Sequence, residues 1–126
     1  MASGADCIFL RVFAECGQSQ AHEIADHIET VLLGGDPVVT VTQELVEEYW
    51  RIKGTWDLRF KITVEHLLGH FDRLLGVLGE PWDIHKRYEE AWAVWDEKSE
   101  GTFCHDAVVW ANLEIVRYPK EPSNKG

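Results

Sequence analysis

Apolar and polar side chains alternate strictly along residues 56–64, and this period of two is typical of a half-buried β-strand. Before it, residues 45–52 are also strand-like, and the glycine-containing segment 53–55 has the composition of a tight turn. After it, apolar side chains recur at helical spacing until Gly79 interrupts them. The pattern therefore predicts a β-hairpin that leads directly into a helix over residues 65–78.

Two further elements are predicted before the hairpin. Residues 7–14 are apolar on both faces, as expected of a strand in the interior of a sheet. Residues 20–33 carry a stripe of apolar side chains at helical spacing, which predicts a helix with one buried face that ends at Gly34. The segment 38–48 begins with β-branched residues and continues with polar ones, so a strand, a helical turn and a loop all fit it.

The last part of the chain is predicted to add one helix, one strand and a tail. Over residues 83–98 apolar side chains recur at the spacing of one helical face, which predicts a third helix. They are Ile84, Tyr88, Ala91, Trp92 and Trp95. Residues 107–118 alternate again and predict a final strand. Residues 119–126 are polar and include two prolines, which predicts a disordered tail.

This order of elements predicts an α+β fold in a single domain, residues 1–118. The economical arrangement is a two-layer sandwich, in which a four-stranded antiparallel sheet carries the helices on one face. A ferredoxin-like βαββ(αα)β order, with the third helix as an insertion, accommodates every predicted element. The predicted core residues are Ile28, Trp56, Phe60, Leu74 and Leu113. A fold class of this kind is compatible with many functions, so function must be argued from side chains.

The net charge of −10 is distributed unevenly along the chain. Between Val12 and Trp50 there is no lysine or arginine, but there are eight acids: Glu15, Glu23, Asp26, Glu29, Asp36, Glu44, Glu47 and Glu48. This segregation fits either a solvated surface that aids solubility or an acidic docking surface for a basic partner. It disfavours nucleic acid as a partner, because phosphate groups require clustered positive charge. A membrane is also disfavoured, since no apolar run approaches the roughly 20 residues of a membrane-spanning helix.

The side-chain patterns of catalytic and metal sites are weak in this chain. His66 and His70 are one helical turn apart, but nothing beside them completes a metal site, so no metal is predicted. Cys16 precedes a helix, yet no base or oxyanion site can be assigned to it. The three cysteines form no metal-type pair and favour a reduced, cytoplasmic setting. The sequence therefore predicts neither an enzyme nor a bound cofactor.

Aromatic and basic residues are predicted to share the sheet face that carries no helix. If the apolar residues of 56–64 face the helices, Arg59 faces away from them, together with Tyr49 and Trp110. This composition is typical of a protein interface, although cross-strand pairing alone also explains it. The predicted partner-binding residues are Glu44, Glu47, Glu48, Tyr49, Arg59 and Trp110.

Two segments resemble immunity-protein families of bacterial toxin systems. The first is residues 49–55, Tyr-Trp-Arg-Ile-Lys-Gly-Thr, which lead into the alternating strand; the second is residues 109–114, Val-Trp-Ala-Asn-Leu-Glu. The small size and acidic character of the chain are similar to those families as well. The resemblance implies a cognate toxin that is bound and neutralised without catalysis, and it carries over no individual functional residue.

The leading hypothesis is therefore a non-enzymatic, cytoplasmic binding protein. It would be an immunity-type inhibitor whose acidic surface meets a basic toxin and accelerates the encounter. The alternative is a small-ligand-binding or regulatory α+β module that is dimeric through its open sheet face. Under these hypotheses the protein is a monomer or a homodimer.

Overall fold

Eight strands and two α-helices follow one another along the residues that the computed structural model describes, which are 6–34, 36, 38–88 and 90–117. The strands are β1 (Cys7–Glu15), β2 (Thr40–Glu48), β3 (Thr55–Thr63), β4 (Gly79–Glu80), β5 (Asp83–Arg87), β6 (Glu90–Asp96), β7 (Thr102–Phe103) and β8 (Val108–Val116). The helices are α1 (Gln18–Leu33) and α2 (Leu67–Leu78), and a short 3-10 helix, Glu97–Ser99, follows β6. The predicted tail, 119–126, lies outside the described residues.

Six of the strands form one antiparallel sheet in the order β2-β3-β1-β8-β6-β5. In its centre Leu10 of β1 pairs with Phe60 of β3 on one side and with Leu113 of β8 on the other. The two short strands β4 and β7 form a separate two-stranded sheet. The fold is therefore α+β, with β2 and β5 as the two edges of the large sheet.

The predicted four-stranded sheet of ferredoxin-like order is wrong, because the predicted third helix does not exist. Residues 83–98 instead form β5, β6 and the beginning of the short 3-10 helix, and the two strands extend the sheet beyond β8. Within β6 the buried positions are Ala91, Ala93 and Trp95, an alternation of period two. Trp92 lies between them on the opposite face and is 40% exposed. The apparent helical spacing of the large side chains thus mixed residues from both faces of a hairpin.

The earlier part of the chain follows the predicted pattern more closely. Helices α1 and α2 lie where the apolar stripes placed them, and β3 occupies all but the last position of the predicted alternating strand. The ambiguous segment is a strand, β2, which begins at Thr40 and ends at Glu48. The predicted second strand was therefore displaced, since residues 49–54 form the turn of the hairpin.

The core lies between the two helices and one face of the sheet. Ile28, Phe60, Leu74 and Leu113 are fully buried, as predicted, whereas Trp56 is only half-buried against the core. The buried face of β6 contributes two alanines, whose small side chains leave room for the large residues of the neighbouring strands. The opposite face of the sheet carries neither of the two α-helices and is called the open face below.

The small sheet fixes the base of the β5–β6 hairpin. Trp95 donates its indole N–H to the backbone oxygen of Glu80 at 3.1 Å, so the indole nitrogen is satisfied inside the core. The ring of Trp95 also lies 5.0 Å from that of Phe103 in β7. Glycine is required at position 101, because a Cβ there would collide with the backbone of Glu80 and with Pro81.

Candidate functional site

Aromatic side chains cluster on the open face around Phe13. The ring centroids of Tyr49 and Trp110 lie 4.9 and 5.2 Å from that of Phe13, both in tilted geometry. The guanidinium carbon of Arg11 lies 4.8 Å from the same ring, within the range of a cation–π contact. The register places Phe13 opposite Trp110 in β8, so neighbouring strands bring these side chains together. Two predicted partner-binding residues, Tyr49 and Trp110, thus share one cluster.

Beside this cluster a carboxylate is held between two guanidinium groups. Arg11 donates from Nε and Nη2 to the two carboxylate oxygens of Asp57 at 3.2 and 2.9 Å, and Arg59 does the same at 3.3 and 3.0 Å. Asp57 is only 3% exposed, although it lies on the open face. Burial acts to raise the pKa of Asp57, but the hydrogen bonds and positive charges of Arg11 and Arg59 outweigh it and hold the pKa below its usual value.

The Arg11–Asp57–Arg59 group gives the middle of the open face a formal charge of +1. Its two arginine side chains are 37% and 45% exposed, so both guanidinium groups still reach solvent. Hydrogen bonding to Asp57 is the first cause that raises the pKa of Arg59, and Glu47 adds an attractive charge. The predicted residue Arg59 is therefore present on the open face, but as part of a structural ion network.

The turn between β2 and β3, residues 49–54, projects an almost fully exposed tryptophan. Trp50 is 80% exposed, and the guanidinium carbon of Arg51 lies 4.7 Å from its ring centroid. The Tyr49 ring, which belongs to the Phe13 cluster, lies 6.3 Å from that of Trp50. An aromatic surface therefore continues from the middle of the open face to this turn, which is called the Trp50 tip below.

Backbone hydrogen bonds keep the Trp50 tip in a defined conformation. The Tyr49 N–H donates to the Thr55 oxygen at 2.7 Å, and the Thr55 N–H donates to the Ile52 oxygen at 3.1 Å. Gly54 has a φ of +87°, a backbone conformation that residues other than glycine rarely adopt. Its N–H donates to the carboxylate of Glu48 at 2.9 Å. The tip is thus ordered without burying Trp50.

The predicted acidic residues line the outer edge of β2. Glu44, Glu47 and Glu48 lie in its second half, and the side chains of Glu47 and Glu48 are exposed. Glu44 lies in the irregularity where the β2–β3 register shifts between Gln43 and Leu45. Glu47 pairs with Asp57 across the strands, and Glu48 holds the Trp50 tip through its hydrogen bond. The structure therefore places five of the six predicted residues along β2, its turn and the adjoining open face, and it places Trp110 beside them through Phe13.

The other candidate sites do not have the geometry of a catalytic or metal centre. A depression of about 250 Å³ contains Cys16, His27 and His105, but burial raises the pKa of Cys16, which keeps it a poorly nucleophilic thiol. Both ring nitrogens of His70 have partners, the backbone oxygen of His66 at 3.0 Å and Asp36 at 3.6 Å. Within the described ranges no three His, Cys, Asp or Glu side chains are grouped to hold a metal ion.

A second depression, of about 320 Å³, lies on the open face itself. Its lining includes Phe9, Arg11, Arg59, Trp110, Asn112 and Glu114. The depression is open to solvent and therefore differs from the pockets that enclose most of a small ligand.

Sequence reasoning missed two features of this surface. Asp57 was not predicted as the centre of an ion network, and Phe13 was not predicted as the centre of the aromatic cluster. The contact between Asp57 and Arg59 could have been predicted, because the two residues are two positions apart on one strand and so share a face. The contribution of Arg11 could not be predicted, since it depends on the register between β1 and β3.

Comparison with known proteins finds no matching family model, no matching curated protein and no matching solved structure. None of the helices in the part of the chain that the structure describes has the length and apolar character needed to cross a membrane. The functional argument therefore depends on the surface just described.

Proposed function

We propose that this protein is a non-enzymatic binding protein, an immunity-type inhibitor that docks a basic protein partner through the Trp50 tip and the adjoining open face. The observation that carries the proposal is the exposure of Trp50, 80%, on a turn that its backbone hydrogen bonds hold in place. A large exposed aromatic side chain on an ordered turn loses little conformational entropy when it binds. Tryptophan, tyrosine and arginine are also the residues that most often dominate binding energy in interfaces.

The charges around the tip support a basic partner. Glu44 and Glu47 form an acidic edge beside the tip, in a chain whose net charge is −10. Such an edge attracts a positively charged surface before contact and raises the association rate. The open face would then supply the apolar contacts around Phe13, with Arg11 and Arg59 available to an acidic side chain at the centre of an otherwise basic partner surface.

Inhibition and cytoplasmic location are part of the same proposal. The resemblance of residues 49–55 and 109–114 to immunity proteins falls on the Trp50 tip and on the strand that carries Trp110, both within the proposed surface. Two free cysteines, Cys16 and Cys104, fit a reducing compartment. Burial raises the pKa of Cys104 to about 11, so this thiol is also unsuited to nucleophilic catalysis.

The experiment compares two exposed aromatic residues at opposite corners of the sheet. The protein is used as bait at low salt, the captured partner is identified and purified, and its affinity is measured for Trp50→Ala and for Tyr88→Ala. Tyr88, which is 90% exposed, lies in the β5–β6 turn and serves as the matched control. Trp50→Ala should weaken binding by about 30-fold or more, the effect of an interface hot spot, and Tyr88→Ala should leave it unchanged. Equal affinities of the two variants for the partner would contradict the proposal.

A further inference from the structure

The edge strand β5 has the features of a surface that pairs with another strand. All five residues, Asp83–Arg87, are exposed, and in the sheet order β5 has a neighbour only on the β6 side. An edge strand of this kind presents backbone N–H and C=O groups that a further strand can bind. The pairing of β5 with β6 runs over five consecutive residue pairs without a register shift, so the edge is regular.

Two of the usual protections of a sheet edge are present at β5, which is short and carries an inward-turned charge, Lys86, but that charge is paired. A bulge, an inward-turned charge or a free lysine commonly prevents edge-to-edge pairing. Lys86 is the one lysine of β5, but it bonds the carboxylate of Asp72 in α2 at 2.8 Å and is thereby held over the helix side. The nearby apolar residues Ile84 and Trp92 are 48% and 40% exposed. These two side chains lie on opposite faces of the sheet, so a second copy at the edge would contact one on each face.

The charges along β5 are complementary to those of a second copy of the same strand. In an antiparallel pair centred on His85, Asp83 of each copy lies opposite Arg87 of the other. Both contacts lie on the open-face side, because Asp83 pairs with Val94 and Arg87 with Glu90, which alternate with the buried positions of β6. Shifting the centre of the pair by one residue in either direction removes both Asp–Arg contacts. The strand therefore specifies one register for its own pairing.

The net charge at this edge is small, so it adds only a weak repulsion to the attraction of the Asp83–Arg87 contacts. A chain of net charge −10 repels its own copy over most of its surface. With histidine neutral, however, β5 carries one acid and two bases, so its own formal charge is +1. Asp83 has 76% of its side chain exposed and contacts only the neighbouring His85 ring, at 3.3 Å, among the ion pairs of the described residues. Its carboxylate thus remains accessible to a second copy.

We propose that two copies of the chain associate through β5 as an antiparallel strand pair centred on His85, which joins their six-stranded sheets into one continuous sheet. The two-fold axis is perpendicular to the sheet, so the open faces of both copies lie on the same side. The Trp50 tips lie at the far ends, because β2 and β5 are opposite edges. This interface is independent of the proposed docking surface and leaves it accessible in each copy.

The test uses charge reversal and its repair, measured by sedimentation equilibrium from about 1 μM to about 1 mM total protein. Asp83→Arg places two Arg–Arg contacts in the homodimer, and Arg87→Asp places two Asp–Asp contacts in it. Each single variant should weaken dimerisation by about 10- to 100-fold, because both cross-strand contacts change from attractive to repulsive. An equimolar mixture of the two variants should recover dimers, since both cross-strand contacts of the mixed dimer again join an arginine to an aspartate. The double variant D83R/R87D should also dimerise as the unmodified chain does.

A matched control distinguishes the specific pairs from net charge. Glu97→Arg makes the same change of charge as Asp83→Arg at an exposed residue beyond β6, and it should leave the dimer constant unchanged. The proposal is overturned if the unmodified chain stays monomeric up to about 1 mM. It is equally overturned if the chain dimerises but the single variants dimerise as well as the control, or if mixing them restores nothing. Circular dichroism of each variant establishes that the sheet has formed before its association is interpreted.

Discussion

The two edge strands of the large sheet, β2 and β5, differ in backbone regularity and in charge. β2 is irregular, with a register shift beside Glu44, and two further glutamates follow on the same strand. β5 is regular and carries charges of both signs. A bulged, uniformly acidic edge repels a copy of itself, whereas a regular edge of mixed charge can pair with one. Under the two proposals, the acidic edge of β2 meets a basic partner and the mixed edge of β5 pairs with a second copy of the chain.

The turns of the two edge hairpins also differ, because each exposes an aromatic side chain but in a different setting. At the Trp50 tip the guanidinium of Arg51 lies 4.7 Å from the indole ring, and the Tyr49 ring links the tip to the open face. In the β5–β6 turn Tyr88 is 90% exposed, and the Arg87 guanidinium lies 5.8 Å from its ring. Only the first aromatic continues into a larger aromatic surface. Exposure alone therefore does not define the proposed docking site; its continuity with Phe13 does.

The largest expected effect is on stability, and it distinguishes a buried residue of the β2–β3 hairpin from a partly exposed residue of the β5–β6 hairpin. Phe60 of β3 is fully buried, and Phe60→Ala should lower the free energy of unfolding by about 3–5 kcal/mol, because it removes buried apolar area and leaves a cavity. Trp92→Ala in β6 should cost less than about 1 kcal/mol, since that side chain is 40% exposed. Urea unfolding of both variants measures the difference. A similar cost for the two would show that Trp92 on the open face contributes as much stability as a fully buried core residue.

The next effect concerns the ion network of Arg11, Asp57 and Arg59, which lies beside the Trp50 tip. Asp57→Asn should lower the free energy of unfolding by about 1.5–3 kcal/mol, at the lower end because water screens the partly exposed arginines. The pKa of Asp57 is lower in the folded chain, so its charge stabilises the fold above about pH 4. That contribution is lost as the pH falls through the folded pKa. Unfolding measured from pH 7 to pH 2 should therefore show the unmodified chain and the variant converging in acid.

A smaller effect is expected at the base of the β5–β6 hairpin. Gly101→Ala places a methyl group against the backbone of Glu80 and against Pro81, and it should cost about 1–3 kcal/mol through local overpacking. Gly69→Ala is the matched control, because nothing lies near its Cβ position within α2. Alanine also favours a helix more than glycine does, so the control should be neutral or stabilising. Thermal unfolding of the two variants makes the comparison, and equal melting temperatures would contradict it.

The smallest expected effect on stability accompanies a large effect on binding rate. Reversal of Glu44 and Glu47 to lysine should change the free energy of unfolding by less than about 0.5 kcal/mol, since both lie on the edge strand outside the core. Association with the basic partner should slow by about 10- to 100-fold at low salt, and the difference should shrink as salt is added. Glu48 is left unchanged, because it accepts a hydrogen bond from Gly54 that orders the Trp50 tip.

The control for this rate experiment reverses two acids away from β2. Glu97 and Glu100 are exposed and follow β6, so their reversal changes the net charge by the same amount at a different place. Stopped-flow association should be slowed much less by this pair than by reversal of Glu44 and Glu47. If both double variants slow association equally, only the net charge matters, and the acidic edge of β2 has no special role.

The prediction of a helix over residues 83–98 was wrong for a physical reason, which is clear from a comparison of β6 with the correctly predicted strand β3. In β3 the positions that face the helices all hold large apolar residues, and polar or charged residues alternate with them, so the period of two is unambiguous. In β6 the buried positions include Ala91 and Ala93, while the large Trp92 lies on the open face. The difference in hydrophobicity between the two faces of β6 is therefore small. Trp92 and Trp95 are also three residues apart, a spacing that fits a helix. Large apolar side chains therefore do not mark the buried face of β6, where two of the three core positions hold alanine.

The sequence by itself determined several local elements in its first two thirds, namely α1, the β3 strand and α2, together with the faces of Phe60 and Arg59. Periodicity and turn chemistry act over a few residues, so they are readable from the chain. Only the tertiary structure decided that Arg11 meets Asp57, 46 residues away, that Phe13 gathers Tyr49 and Trp110, and that β2 and β5 are the edges. Those contacts depend on strand order and register, which are set by how the whole core packs rather than by any local pattern.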